Sequence, residues 1–156
     1  MIFSANSNMY KVNAESTLAV YGDFVEGTGD EVVVLLSARQ LSPIARSALE
    51  KSLSALGYGN RCCACVTLAA DGADMRIGAN DLLSIVEGLD PLVIVATDGD
   101  AAAELGRAYH QEVAPDSSNR LMGRTVIAFR SFEDQLATPD AKQRAWALLK
   151  KIPRLN

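Results

Sequence analysis

The sequence predicts a three-layer α/β/α domain built on a mostly parallel, four-stranded sheet. Four strand-like runs recur along the chain: Glu31–Leu36 (EVVVLL), Cys62–Leu68 (CCACVTL), Leu92–Thr97 (LVIVAT) and Thr125–Phe129 (TVIAF). A helical pattern follows each of the first three, and a fourth closes the chain. The first run is continuously apolar, which suits a strand covered by helices on both faces. Strands alternating with helices in this way build a parallel sheet between helical layers.

The elements follow in order. Residues 1–17 are polar, rich in Asn and Ser, and read as an N-terminal arm, with a short helix or a strand as alternatives. Leu18–Val25 (LAVYGDFV) has strand character broken by Gly22. Glu26–Asp30 is a turn, because Gly27 and Gly29 permit positive φ. Ser42-Pro43 is a helix start: serine caps, and proline fits the first helical position. Ile44, Ala48, Leu49, Leu53 and Leu56 mark the apolar stripe, and Gly57 and Gly59 end it. Ala69–Gly78 is a loop. Asn80 or Asp81 is positioned to cap a helix that buries Leu82, Leu83, Ile85, Val86 and Leu89. Pro91 stops that helix, and Asp98 caps the next, over 100–112. Residues 113–124 are a turn-rich connection. Thr138-Pro139-Asp140 opens the last helix, with Trp146, Leu148, Leu149 and Ile152 as its buried face.

The chain has 156 residues, 49% hydrophobic and 22% charged. These values suit one globular domain, over 18–156, with a real core. No apolar run approaches the ~20 residues of a membrane span. The amino terminus lacks a basic start followed by a long apolar stretch, so a cytoplasmic location is expected. A net charge of −4 argues against broad nonspecific nucleic-acid binding, which needs a positive surface. Nucleic acid would have to use a local patch, drawn from Arg120, Arg124, Arg130, Lys142, Arg144, Lys150, Lys151 and Arg154. The alternative is a solvated helix face that also carries Asp134 and Asp140.

The cysteines are Cys62, Cys63 and Cys65. An odd count argues against a disulfide framework. The spacing is not CxxC and there is one histidine, so neither a metal nor another cofactor is expected. Within a strand, Cys63 and Cys65 share one face and Cys62 takes the other. All three read as small buried apolar residues.

These segments, in this order, resemble the uracil-DNA glycosylase-like superfamily, and most of all its bacterial and archaeal iron–sulfur members. Val20-Tyr21-Gly22-Asp23 leads through the glycine turn into the first apolar run. Ser52-Leu53-Ser54-Ala55-Leu56-Gly57 matches a helix ending LLxxLG. Pro91–Ala96 matches a strand like PKVIVA, and Thr138–Lys151 (TPDAKQRAWALLKK) matches the family's closing helix. The likeness spans roughly residues 18–152. It implies the strand order 2-1-3-4 for the four apolar runs.

The departures fall on the family's chemistry. The water-positioning loop GEAPG aligns with Leu36-Ser37-Ala38-Arg39-Gln40, without glycine, proline or acid. The asparagine that reads the uracil edge falls nearest Val66. The histidine that steadies the uracil anion falls at Arg130, and the cluster cysteines are missing. Cleaving a flipped base requires a pocket that reads its edge.

Four residues at the strand ends are candidates for ligand binding: Ser37, Arg39, Asp98 and Arg130. A guanidinium at Arg130 could hold a phosphate or carboxylate, and otherwise pairs with Glu133 or Asp134. Asp98 could bind Mg²⁺, and otherwise caps a helix. A nucleophilic Ser37 would need a base, and the single histidine, His110, lies far along the chain. No catalytic set is therefore assigned. The expected function is a noncatalytic binding or scaffold role, with a protein partner or a second copy of the chain, in DNA metabolism. The small psi subunits of bacterial clamp loaders are a precedent, since they resemble the glycosylase fold and work through protein contacts. The alternatives are a divergent DNA glycosylase or nucleotide-directed hydrolase using Arg130 and Asp98, and a flavodoxin-like module holding a small ligand.

Overall fold

The computed structural model describes residues 13–70 and 75–155. Its helices are α1 (13–21), α2 (Pro43–Ala55), α3 (Ala79–Leu89), α4 (Gly99–Tyr109), α5 (Phe132–Gln135) and α6 (Pro139–Leu149). Its strands are β1 (Val25–Glu26), β2 (Val33–Ser37), β3 (Cys63–Thr67), β4 (Val93–Ala96), β5 (Ser117–Leu121) and β6 (Arg124–Ala128). The sheet order is β1-β3-β2-β4-β6-β5. The four inner strands pair in parallel, with β2 between β3 and β4, and β4 beside β6. They are the four apolar runs of the sequence, in the order 2-1-3-4.

The sheet has six strands instead of four. Both additions are antiparallel edges, β1 on β3 and β5 on β6. An edge strand buries one face, so its sequence carries little apolar signal. In β5 (SSNRL) only Leu121 is buried. The β5–β6 turn is Met122-Gly123, with φ of +50° and +84°, the two-residue hairpin geometry that matches sheet twist.

The alternation of the inner strands divides the core into two. Val34, Leu36, Ile94 and Ala96 face α3 and α4; Val33, Leu35, Val93 and Val95 face α2 and α6. Leu49 and Leu53 of α2 and Leu149 of α6 are fully enclosed on the second face.

Several local expectations are revised. The strand expected over 18–25 is helical through residue 21, and only Val25 and Glu26 join the sheet. Ala14, Thr17, Leu18 and Tyr21 recur at helical spacing and turn inward, while Val20 is 72% exposed. Gly88 lets α1 and α3 meet, for a Cβ there would lie 1.9 Å from Thr17 Oγ1. Of the segment read as an arm, 1–12 lies outside the described residues, and 13–17 belongs to α1.

Helix α3 is capped by Gly78 without a side-chain bond; Asp81 instead accepts from Tyr21 Oη at 3.0 Å. Cys62 precedes β3 and follows Arg61, whose φ is +59°. It escapes the strand alternation and packs on the same face as Cys63, with the two Sγ atoms 3.4 Å apart. Trp146 is half-buried at the margin of the second core, unlike its neighbour Leu149. Arg124 leaves the proposed basic patch altogether. Its buried guanidinium bonds Asp90 at 2.8 Å, Glu87 at 3.0 Å and the Pro91 carbonyl at 3.0 Å.

Candidate functional site

Helix α2 leaves β2 on one face of the sheet and α4 leaves β4 on the other. The carboxyl ends of β2 and β4 are therefore the switch point where open α/β sheets form a ligand crevice. The topology brings Ser37, at the end of β2, beside Thr97-Asp98, which follow β4. Ser37 Oγ and Thr97 Oγ1 share a buried hydrogen bond of 2.7 Å. Thr97 Oγ1 also donates to the Leu36 carbonyl at 3.3 Å. Asp98 caps α4 by accepting from Ala101 N at 2.8 Å, and its other oxygen accepts from Ala38 N at 2.8 Å. These bonds commit the polar side chains of Ser37, Thr97 and Asp98 to the chain itself.

The two arginines lie at the same end but turn outward. Arg39 is exposed in the loop after Ser37. Arg130 follows β6, and its side chain is 78% exposed, 3.7 Å from the Asp116 carboxylate instead of Glu133 or Asp134. Its backbone is what the fold uses: the carbonyl accepts from Gly99 N at 3.0 Å, and its N–H donates to Asp116 at 3.1 Å. Glu133 reaches across to the start of α2, accepting from Ser42 N at 3.0 Å and Ser42 Oγ at 2.6 Å. A carboxylate of the chain therefore occupies the anion-favouring end of that helix.

Beside these bonds, towards β3, lies a cavity of about 330 Å³. Its wall includes Ser37, Gln40, Thr67, Cys65, Arg46 and Glu26. Val66, nearest the place of the family's edge-reading asparagine, is enclosed in the core on the opposite face. Thr67, one residue on, lines the cavity, as strand alternation requires. Arg46 is bound to Glu26 at 2.9 Å and Glu50 at 3.0 Å. Burial works against its charge, but the bonds to Glu50 and Glu26 outweigh it and raise its pKa. With two carboxylates on it, this guanidinium offers little net charge to an anion. Burial pushes the Cys65 thiol up to about 11, against the pull of Arg46. At neutral pH it is protonated, and a thiol is a poor nucleophile in that form.

His110 ends α4, whose 11 residues carry it about 16 Å from the crevice. It is out of reach of Ser37, and the two form no nucleophile–base pair. Among the described residues no three His, Cys, Asp or Glu side chains converge as a metal site requires. Sequence reading missed Thr97, Thr67 and the Ser42–Glu133 bond. Thr97 carried a signal, a polar residue closing an apolar run beside Asp98; the Glu133 contact joins residues 91 positions apart and carried none.

No protein-family model matches the chain, and no curated protein matches it in sequence.

Proposed function

We propose that this chain is a noncatalytic domain of the uracil-DNA glycosylase-like kind, serving DNA metabolism in the cytoplasm as a binding or scaffold protein. The observation that carries the reading is the engagement of the switch-point side chains by the fold itself. Ser37 and Asp98, the two candidate groups at the switch point, are spent on Thr97, Ala38 and Ala101. The strand order β3-β2-β4-β6 agrees with the family likeness. Three free thiols suit a reducing compartment.

The test is excision of uracil from a single-stranded oligonucleotide, read by alkali cleavage. The expected result is no turnover. A mismatch between a base's polar edge and the site reading it can cost ~10⁴-fold, and Val66 offers that edge no hydrogen bond. Robust excision would overturn the reading, and its loss in Arg130→Ala would place the chemistry at that side chain.

A second reading, a divergent glycosylase or nucleotide-directed hydrolase, is favoured by the 330 Å³ cavity that holds Thr67 and Gln40 beside Ser37. Activity that falls in Arg130→Ala or in Thr67→Val would select it.

A further inference from the structure

A second concavity, of about 290 Å³, lies on the outer side of the helical layer formed by α2 and α6. Helix α2 lines it with Ile44, Ala48 and Ser52, one turn apart. Helix α6 lines it with Lys142 and Trp146, and Leu136 adds to its apolar wall. The small side chains of Ala48 and Ser52 keep the groove open. Ile44 is 75% exposed, and Trp146 is half-buried beside it. The three positions on α2 span about 12 Å, the footprint of two turns of a helix.

The charged groups at the groove's wall and at its aromatic ring are basic. Lys142 lies in its wall, and Lys150 Nζ stands 5.8 Å from the Trp146 ring centroid. Residues 139–154 carry Lys142, Lys150, Lys151 and Arg154 against Asp140, in a chain of net charge −4, while Arg144 lines a separate concavity beside Asp116. Of the nearby acids, Glu50 is paired with Arg46 and Glu133 accepts from Ser42, while Asp134 and Asp140 are exposed outside the groove's lining. We infer that this groove docks an acidic amphipathic segment of a protein partner, apolar side chains against Ile44 and Trp146 and carboxylates towards Lys142 and Lys150. The inference rests on the noncatalytic reading above and supplies its contact surface. A two-fold contact between copies is disfavoured, because it would set this basic groove against itself. Nucleic acid is disfavoured by the apolar lining and the single aromatic ring, where strand binding uses rows of cations and several stacking platforms.

The chain has one tryptophan, so its emission reports on this groove directly. The probe is a phage-displayed library of random peptides about 16 residues long, roughly four helical turns, selected on the full chain. The expected result is enrichment of apolar residues three or four apart with intervening Asp and Glu. A synthetic, tryptophan-free copy of the enriched peptide should shift Trp146 emission to the blue and saturate. Ile44→Glu and Lys142→Glu should each weaken it at least roughly tenfold, while Arg107→Ala, on α4, leaves it unchanged. Both groove positions are on the surface, so neither variant should unfold the domain. Basic or featureless enrichment, or binding indifferent to both variants, would overturn the inference. So would a saturable Trp146 shift with a single-stranded oligonucleotide, phosphatidylserine vesicles or rising protein concentration in place of the peptide. Uracil excision with peptide binding intact would remove the noncatalytic reading alone; loss of peptide binding without excision would remove the groove alone.

Discussion

The Asp98 carboxylate accepts the Ala38 N–H at 2.8 Å, while its second oxygen caps α4 through Ala101 N. One side chain thus ties the loop after β2 to the start of the helix after β4. Asp98→Ala should cost about 2–3 kcal/mol, from a lost cap and an N–H left without its acceptor. Asp98→Asn keeps one acceptor and should cost visibly less. Urea denaturation of both variants checks this; equal costs would mean that only one of the two bonds matters.

Ser37 and Thr97 should behave as a coupled pair. Thr97→Val leaves the buried Ser37 hydroxyl without its partner, at about 1–3 kcal/mol. Ser37→Ala should cost less, since Thr97 keeps the Leu36 carbonyl. The double variant should be less destabilised than the sum, by at least ~0.5 kcal/mol. Strict additivity in a double-mutant cycle would show that the 2.7 Å bond carries no energy.

Glu31 folds back on its own turn, accepting from Thr28 N and Gly29 N at 2.9 Å. Burial alone would raise its pKa, but these bonds and the Thr28 hydroxyl lower it below 4.5. Its folded value is depressed, so its contribution is full above the ordinary carboxylate value and lost as pH falls through the folded value. Glu31→Gln should therefore cost stability at pH 7, on the order of 1 kcal/mol for so exposed a site. The loss should vanish in acid. Stability curves of the two proteins that stay parallel below pH 4.5 would contradict this.

Leu149 and Trp146 share α6 but not an environment. Leu149 is 1% exposed, and Leu149→Ala should cost ~2–5 kcal/mol. Trp146→Ala, at the groove margin, should cost about 1 kcal/mol. Thermal unfolding of both variants decides it; a larger loss for Trp146→Ala would place the ring in the core after all.

The helix starts at Ser42-Pro43, Asp98 and Thr138-Pro139 were legible because capping is local, and all three side chains make the expected bond. Strands β2, β4 and β6 were legible because burial on both faces writes a continuous apolar run. Helix α1 was misread because its inward positions are Ala, Thr, Leu and Tyr, and the exposed Val20 imitates strand alternation. Edge strand β5 was missed because its ladder needs β6, and its own residues are mostly polar.

Of the candidate site, the sequence determined position: Ser37 ends a strand, Arg39, Asp98 and Arg130 follow strands, and all four lie at the carboxyl ends. Whether those groups were free was decided only by the tertiary structure. The Ser37–Thr97 and Ala38–Asp98 bonds each join residues 60 positions apart, and Arg130 turns to Asp116 because β5 delivers that carboxylate alongside. Local propensity reaches a few residues along the chain; a hydrogen bond across a sheet depends on which strands become neighbours. For that reason the sequence determined where ligand-binding groups could lie, and strand order decided that two of them are consumed by the fold.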